Sequence, residues 1–84
     1  MENEPKHQSH PAITKRLKRA SGHLRHVIDM IEQEKPCTEI AMQLQAVESA
    51  ITAAKRTLIH DHIDHCLSAN SEDLDQLRAL AKLL

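Results

Sequence analysis

The seven residues His60–Cys66, HDHIDHC, bring three histidines, two aspartates and a cysteine together within a long stretch that lacks Gly and Pro. Imidazoles and thiolates are common transition-metal ligands in proteins. At about 100° per residue on a helix, His62 and Cys66 share one face. His60 and Asp64 point roughly the opposite way. The spacing predicts that His62 and Cys66 can reach one metal ion.

The other members of this cluster, Asp61 and His65 included, are interpreted mainly as a solvated helix end. A lone histidine on an apolar face is more often a hydrogen-bonded core residue than a ligand. Both interpretations of His62 therefore stay open from this stretch alone.

A third candidate ligand is Cys37, which the helical count places on the same face, 25 residues before His62. At about 1.5 Å of rise per residue the two side chains would lie roughly 37 Å apart. Antiparallel pairing of two chains through this helix would bring Cys37 of one protomer to His62 and Cys66 of its partner, at two equivalent sites. The alternative for Cys37 is an inert, buried thiol at a helix start.

Two thiolates and one imidazole form a soft, three-coordinate ligand set. Such a set suits Cu(I), whereas Zn(II) prefers a fourth ligand and Ni(II) or Co(II) prefers more nitrogen and oxygen ligands. The residue types therefore predict Cu(I) as the cofactor.

Helices must position these residues, because Gly occurs once, Pro three times, and apolar residues recur at helical spacing. The pattern predicts an all-α fold with helices over about 11–34, 37–67 and 71–84, the last capped by Asn70 or Ser71. Residues 1–10 are expected to be a flexible polar tail, and residues 11–84 a single domain. The predicted apolar stripes are Ile13, Leu17, Ala20, Leu24, Val27, Ile28 and Ile31 in the first helix, and Ile40, Leu44, Val47, Ile51, Ala54 and Leu58 in the second.

A chain of 84 residues leaves much apolar surface uncovered unless a second chain covers it. It has no run of about 18 apolar residues and no apolar segment typical of a signal peptide, so we expect a cytoplasmic protein without membrane contact and with reduced thiols. Residues 1–25 carry six Lys/Arg and two Glu, whereas residues 26–84 carry five Lys/Arg and ten acids. This asymmetry favours either a surface that meets a polyanion or a solvated helix face. The absence of Phe, Tyr and Trp excludes base stacking on aromatic side chains.

Residues 10–67 resemble the CsoR/RcnR superfamily of small bacterial metal-sensing repressors, most closely its copper-sensing branch. The resemblance runs through TKRLKRASGHLRHVIDMIEQEKPC and QLQAVESAITAAKRTLIHDHIDHC, and the separation of Gly22 from Cys37 fits the family pattern. It implies an antiparallel four-helix-bundle dimer that forms a dimer of dimers, with three helices per chain. It also implies a repressor that binds operator DNA without metal and is released by metal, which derepresses metal-efflux or metal-buffering genes.

The resemblance places Cys37, His62 and Cys66 at the copper-sensor ligand positions. It also implies a basic surface that meets DNA, with Arg16, Lys18 or Arg19, and Arg56 among its members. We include Lys15 because it precedes Arg16 in the same basic segment. That surface comprises Lys15, Arg16, Lys18, Arg19 and Arg56.

Several alternatives remain. Nickel- and cobalt-sensing relatives use a histidine near the N-terminus and a histidine where Cys66 stands, so His7, His10 and His65 are candidate additional ligands. A thiol-based persulfide or redox-sensing repressor and a metal-buffering protein without DNA contact are further alternatives. An enzyme is not expected, because no nucleophile and base pair stands outside the candidate ligands.

Two further features of the predicted helices are unusual. Many relatives carry basic residues on the second helix where this chain has Glu48 and Ala53. Gly22 interrupts the first helix, which indicates either a close helix crossing or simple tolerance.

Overall fold

The computed structural model describes residues 9–68 and 74–84, with side chains described for 9–64 and 74–84. These residues form three helices, α1 (His10–Glu32), α2 (Cys37–Ser68) and α3 (Leu74–Lys82), and no strand. The all-α prediction is confirmed. Helix α1 ends two residues before the predicted bound, and α2 agrees with its predicted bounds within one residue. The predicted cap at Asn70 or Ser71 and most of the predicted tail lie outside the described residues.

The turn between α1 and α2 closes without glycine. Glu34 adopts the left-handed conformation, with φ of 57°, and its amide donates to the carbonyl of Ile31 at 3.0 Å. The amide of Lys35 donates to the carbonyl of Met30 at 3.0 Å. Pro36 follows, and its carbonyl accepts from the amide of Ile40 at 3.1 Å, so that α2 begins at Cys37. Proline suits this position because the first amides of a helix lack partners within the helix.

Helices α1 and α2 pack against each other as an antiparallel hairpin. The chain measures 52 × 32 × 13 Å along its principal axes. Since a helix with its side chains is about 10–12 Å across, the hairpin is a layer one helix deep. Within the hairpin each helix covers the other on one side only, and α3 makes a smaller contact with α2.

The predicted apolar stripes divide into two sets, each with a seven-residue repeat. In α1 the residues Ile13, Ala20 and Val27 are buried, whereas Leu17, Leu24 and Ile31 are exposed. Helix α2 repeats the division. There Val47 and Ala54 are buried, whereas Leu44, Ile51 and Leu58 are exposed.

Three side chains differ from the sequence interpretation. Met30 and Ile59 are buried although neither belongs to a predicted stripe. His23, which also lies outside the predicted stripes, is half-buried, and its Nε2 lies 2.7 Å from Oε1 of Gln43. His23 therefore lies beside the contact between the helices. None of the helices in the described ranges is long and apolar enough to cross a membrane.

Candidate metal centre

Helix α2 carries all three predicted ligands and holds Cys37 far from the other two. It runs over 32 residues, from Cys37 to Ser68, and no Gly or Pro interrupts it. Its rise of about 1.5 Å per residue separates Cys37 from His62 by roughly 37 Å. A single chain cannot bring these two side chains to one ion.

The predicted ligands differ in their surroundings. Cys37 is exposed and forms no disulfide, so its own chain does not bury this thiol. His62 is half-buried, and its Nε2 has almost no contact with solvent. Cys66 belongs to α2, but its side chain lies outside the described ones. Among the described residues no group of three His, Cys, Asp or Glu lies close enough to hold a metal ion.

The neighbouring polar residues follow the predicted division with one exception. His60 and Asp64 are exposed, as expected for a solvated helix end. Asp61 is half-buried, so it is less exposed than the interpretation as a solvated helix end expects. The side chain of His65 lies outside the described ones.

The N-terminal candidate ligands are only partly described. His7 lies outside the described residues. His10 is the first residue of α1 and is exposed. It stands at the end of the hairpin where α2 finishes, since Ile13 shares a groove with Leu58.

One face of the hairpin, here called the apolar face, is lined by large side chains that α1 and α2 leave uncovered. A groove of about 420 Å³ passes beside Leu24, Leu44 and Ile51. A second groove of about 330 Å³ continues from Ile51 to Leu58. The apolar face comprises Leu17, Leu24, Ile28, Ile31, Leu44, Ile51 and Leu58, each between 39% and 54% exposed.

Cys37 and His62 belong to the same side of α2 as the apolar face. At about 100° per residue, both fall within roughly 60° of Leu44, Ile51 and Leu58. A partner that covers the apolar face along the whole of α2 would therefore also cover Cys37 and His62.

The opposite side of the hairpin, here called the cationic face, holds a groove of about 270 Å³. Arg16, Arg19 and His23 line it from α1. The remaining lining residues are small, namely Ala20, Ala50 and Ala53. The sequence interpretation missed His23 here, although its spacing of four residues from Arg19 and seven from Arg16 indicates one helix face.

The other predicted DNA-binding residues are not all brought together. Lys15 and Lys18 are exposed on α1. Arg56 is also exposed, but the helical count places it on the side of α2 turned away from α1. Four of the five predicted cations thus stand on α1, two of them in the groove, whereas Arg56 stands apart on α2.

Comparison with known proteins gives a consistent picture. Residues 9–84 match the model of a family described as metal-sensitive transcriptional repressor. This description is that of a regulator of transcription, in line with the expectation that the chain is not an enzyme. No solved structure matches the chain.

Curated relatives carry related names. The chain is 41% identical over 58 residues to the copper-sensing transcriptional repressor CsoR of Mycobacterium ulcerans (strain Agy99), which covers 69% of this chain and 50% of that protein. It is 35% identical over 72 residues to the copper-sensing transcriptional repressor CsoR of Bacillus subtilis (strain 168), covering 86% of this chain and 71% of that protein. A third relative is the copper-sensing transcriptional repressor RicR of Mycobacterium tuberculosis (strain ATCC 25618 / H37Rv), 37% identical over 54 residues, which are 64% of this chain and 56% of that protein. The chain thus spans between half and about seven-tenths of the length of these relatives.

Proposed function

The chain belongs to the family of metal-sensitive transcriptional repressors, and we propose that it is a Cu(I)-responsive member that binds operator DNA without metal and leaves it when Cu(I) binds. Its release would derepress genes for metal efflux or buffering. The observation that carries the proposal is the position of Cys37 and His62 at opposite ends of one unbroken helix, both on the side of α2 that carries the apolar face.

The site we propose is shared between two chains. Two copies of α2, packed antiparallel through the apolar face, place the start of one helix beside the end of the other. Cys37 of one protomer then meets His62 and Cys66 of its partner, and the two-fold symmetry produces two sites. The exposed thiol of Cys37 supports this arrangement, because a ligand donated to a partner has to be accessible in the single chain.

The donor set fits Cu(I). Two thiolates and one imidazole form a soft ligand set, and three such ligands are enough to coordinate a Cu(I) ion. Bound there, Cu(I) would supply metal–ligand bonds that tie the start of one α2 to the end of the other. His10 and His65 are proposed as additional ligands, since both stand toward the end of the hairpin that carries His62.

Cations on α1 are proposed to hold DNA. Arg16 and Arg19 line the cationic face, and Lys15 and Lys18 stand exposed beside them. Such side chains neutralise phosphates and contribute affinity that falls with salt. A dimer of dimers would multiply the number of these contacts and could bring Arg56 of other chains to the same DNA.

Coupling requires two arrangements of the subunits, one favoured by DNA and the other by the metal. The ligands lie on the apolar face and the cations on the opposite side of the same layer. A shift of one hairpin against the other, fixed by bonds from Cys37 to the partner, would therefore change the spacing between cationic faces.

Subunit mixing tests the shared site. We expect Cys37→Ser and Cys66→Ser to lose tight Cu(I) binding when each is prepared alone. In a mixed dimer the Cys66→Ser protomer still supplies Cys37, and the Cys37→Ser protomer still supplies His62 and Cys66. After free exchange, half of the dimers are mixed and each has one intact site, so copper binding should return to about a quarter of the wild-type level.

The matched controls for this experiment lie on the same helix end. His62→Ala should lose copper binding, whereas His60→Ala, which changes an exposed histidine two residues away, should keep it. Copper would be measured by competition with a chelator and its neighbours by X-ray absorption. A mixture that binds no copper while both variants still form dimers would contradict the shared site.

DNA binding is tested separately, with a duplex taken from upstream of the protein's own gene. We expect saturating Cu(I) to weaken binding by at least about tenfold, a typical coupling strength. Arg16→Ala should weaken binding with and without copper and lower the salt slope by about one. DNA affinity that is unchanged by copper would remove the sensor function and leave a copper-binding protein.

A further inference from the structure

Gly22 occupies an exposed position in the middle of α1, where glycine has no visible structural purpose. Its backbone is helical, and a Cβ added there would meet nothing within 4 Å. A close crossing of α1 and α2 is therefore excluded as the reason for it. Glycine in a helix interior costs about 1 kcal/mol relative to alanine, so the chain gives up stability at this position.

The four positions that flank Gly22 on the helix surface all carry Lys, Arg or His. On a helix surface a residue is flanked by those three and four positions away, which here are Lys18, Arg19, Arg25 and His26, all exposed. The side chains thus form a ring, and its centre carries only a hydrogen atom. We call this arrangement the Gly22 ring.

Charge decides what can enter the ring. Residues 10–28 contain five Lys/Arg and no Asp or Glu, and the nearest acid along the chain is Asp29, four residues after Arg25. The ring itself therefore carries positive charge. A symmetric contact between two copies through Gly22 would set one such ring against another and is disfavoured by repulsion. A polyanion fits both the charge and the gap.

We infer that Gly22 is the point of closest approach between α1 and the DNA backbone, where a phosphate enters the ring and lies against the helix. The inference rests on the proposed DNA binding and extends it to a residue without a side chain. Arg25 and His26 join the DNA contact by the same geometry. A Cβ at position 22 would keep the phosphate away from the helix without removing any charge.

The test compares Gly22→Ala with Ser21→Ala in the full chain. Both changes introduce alanine at an exposed helical position, but Ser21→Ala leaves the ring empty at its centre. Binding would be measured on the promoter duplex and on a scrambled duplex of equal length over a range of salt concentrations. Sedimentation, melting temperature and copper stoichiometry would be recorded for each variant.

We expect Gly22→Ala to raise the melting temperature, because alanine favours the helix and meets no neighbour. DNA affinity should fall about tenfold, the change expected for one lost charge-assisted contact. The fall should be equal on both duplexes, since phosphate contacts do not depend on sequence. Ser21→Ala should retain wild-type affinity.

Other outcomes overturn the inference. Wild-type affinity in Gly22→Ala would show that the gap holds no phosphate, while DNA binding itself would stand. A changed oligomeric state or a lower melting temperature would show that the gap serves a contact between copies of the chain. A wild-type protein that binds neither duplex would remove the proposed function together with this inference.

Discussion

The two faces of the hairpin differ in what they leave exposed. The apolar face presents seven large aliphatic side chains, and water contacts about half of each. The cationic face presents two guanidinium groups and an imidazole around small residues. In a layer one helix deep each face has its own chemistry, so that one face can be buried against a second chain while the other remains available to a polyanion.

The largest expected effect comes from placing a charge on the apolar face. Ile51 lines both grooves there. We predict that Ile51→Asp dissociates the proposed dimer, because pairing would bury a carboxylate without a partner. The dissociation constant should rise on the order of 100-fold or more, as measured by sedimentation. Copper binding should be lost with the dimer, although no ligand has changed.

A suitable control for this variant is Ser49→Asp. It adds the same charge to α2 at an exposed position, which the helical count places away from the apolar face. We expect it to remain a dimer and to bind copper. An Ile51→Asp protein that stays dimeric would show that the chains pair through another surface.

Sequence patterns predicted the apolar side of each helix but not which of its side chains the other helix covers. The seven-residue spacing of Ile13, Ala20 and Val27 is identical to that of Leu17, Leu24 and Ile31, yet only the first set is buried. The apolar stripe is wider than one helix contact, and periodicity alone gives its centre rather than the boundary between its buried and exposed residues. Met30 was missed because it lies at the border of this stripe.

The length of α2 was easier to predict, because one proline and an uninterrupted apolar period fix its start and course. That length was sufficient to place Cys37 and His62 far apart in one chain. The assembly that reunites them is a property of two chains and stays a prediction.

A smaller effect is expected at Glu48 and Ala53 of α2, where the resemblance leads us to expect basic residues. The structure separates the two positions: Ala53 lines the cationic groove, whereas Glu48 lines an apolar one. We predict that Ala53→Lys tightens DNA binding a few-fold and raises the salt slope by about one. Titration of a promoter duplex at several salt concentrations would measure both quantities.

Glu48→Lys provides the contrast, because it changes the net charge by two units rather than one. If the faces are distinct, it should alter DNA affinity less than Ala53→Lys despite the larger change in charge. Equal or greater tightening by Glu48→Lys would mean that total charge, and not its placement on one face, controls the affinity.

The smallest expected effect concerns the turn on which both faces depend. Glu34 holds a left-handed conformation with φ of 57°, which is unfavourable for a residue with a Cβ, and its carboxylate lies near the C-terminus of α1, where the helix dipole disfavours negative charge. No glycine marks this position, so the conformation could not be predicted from the sequence. Glu34→Gly should raise the free energy of unfolding by about 0.5–1 kcal/mol, as measured by urea denaturation. Glu34→Ala removes the charge but keeps the Cβ. Because the Cβ remains, this variant should stabilise the protein less than Glu34→Gly does. An equal gain would assign the effect to the carboxylate. Dimerisation and DNA affinity should stay the same in both variants, because the turn contributes no side chain to the apolar or the cationic face.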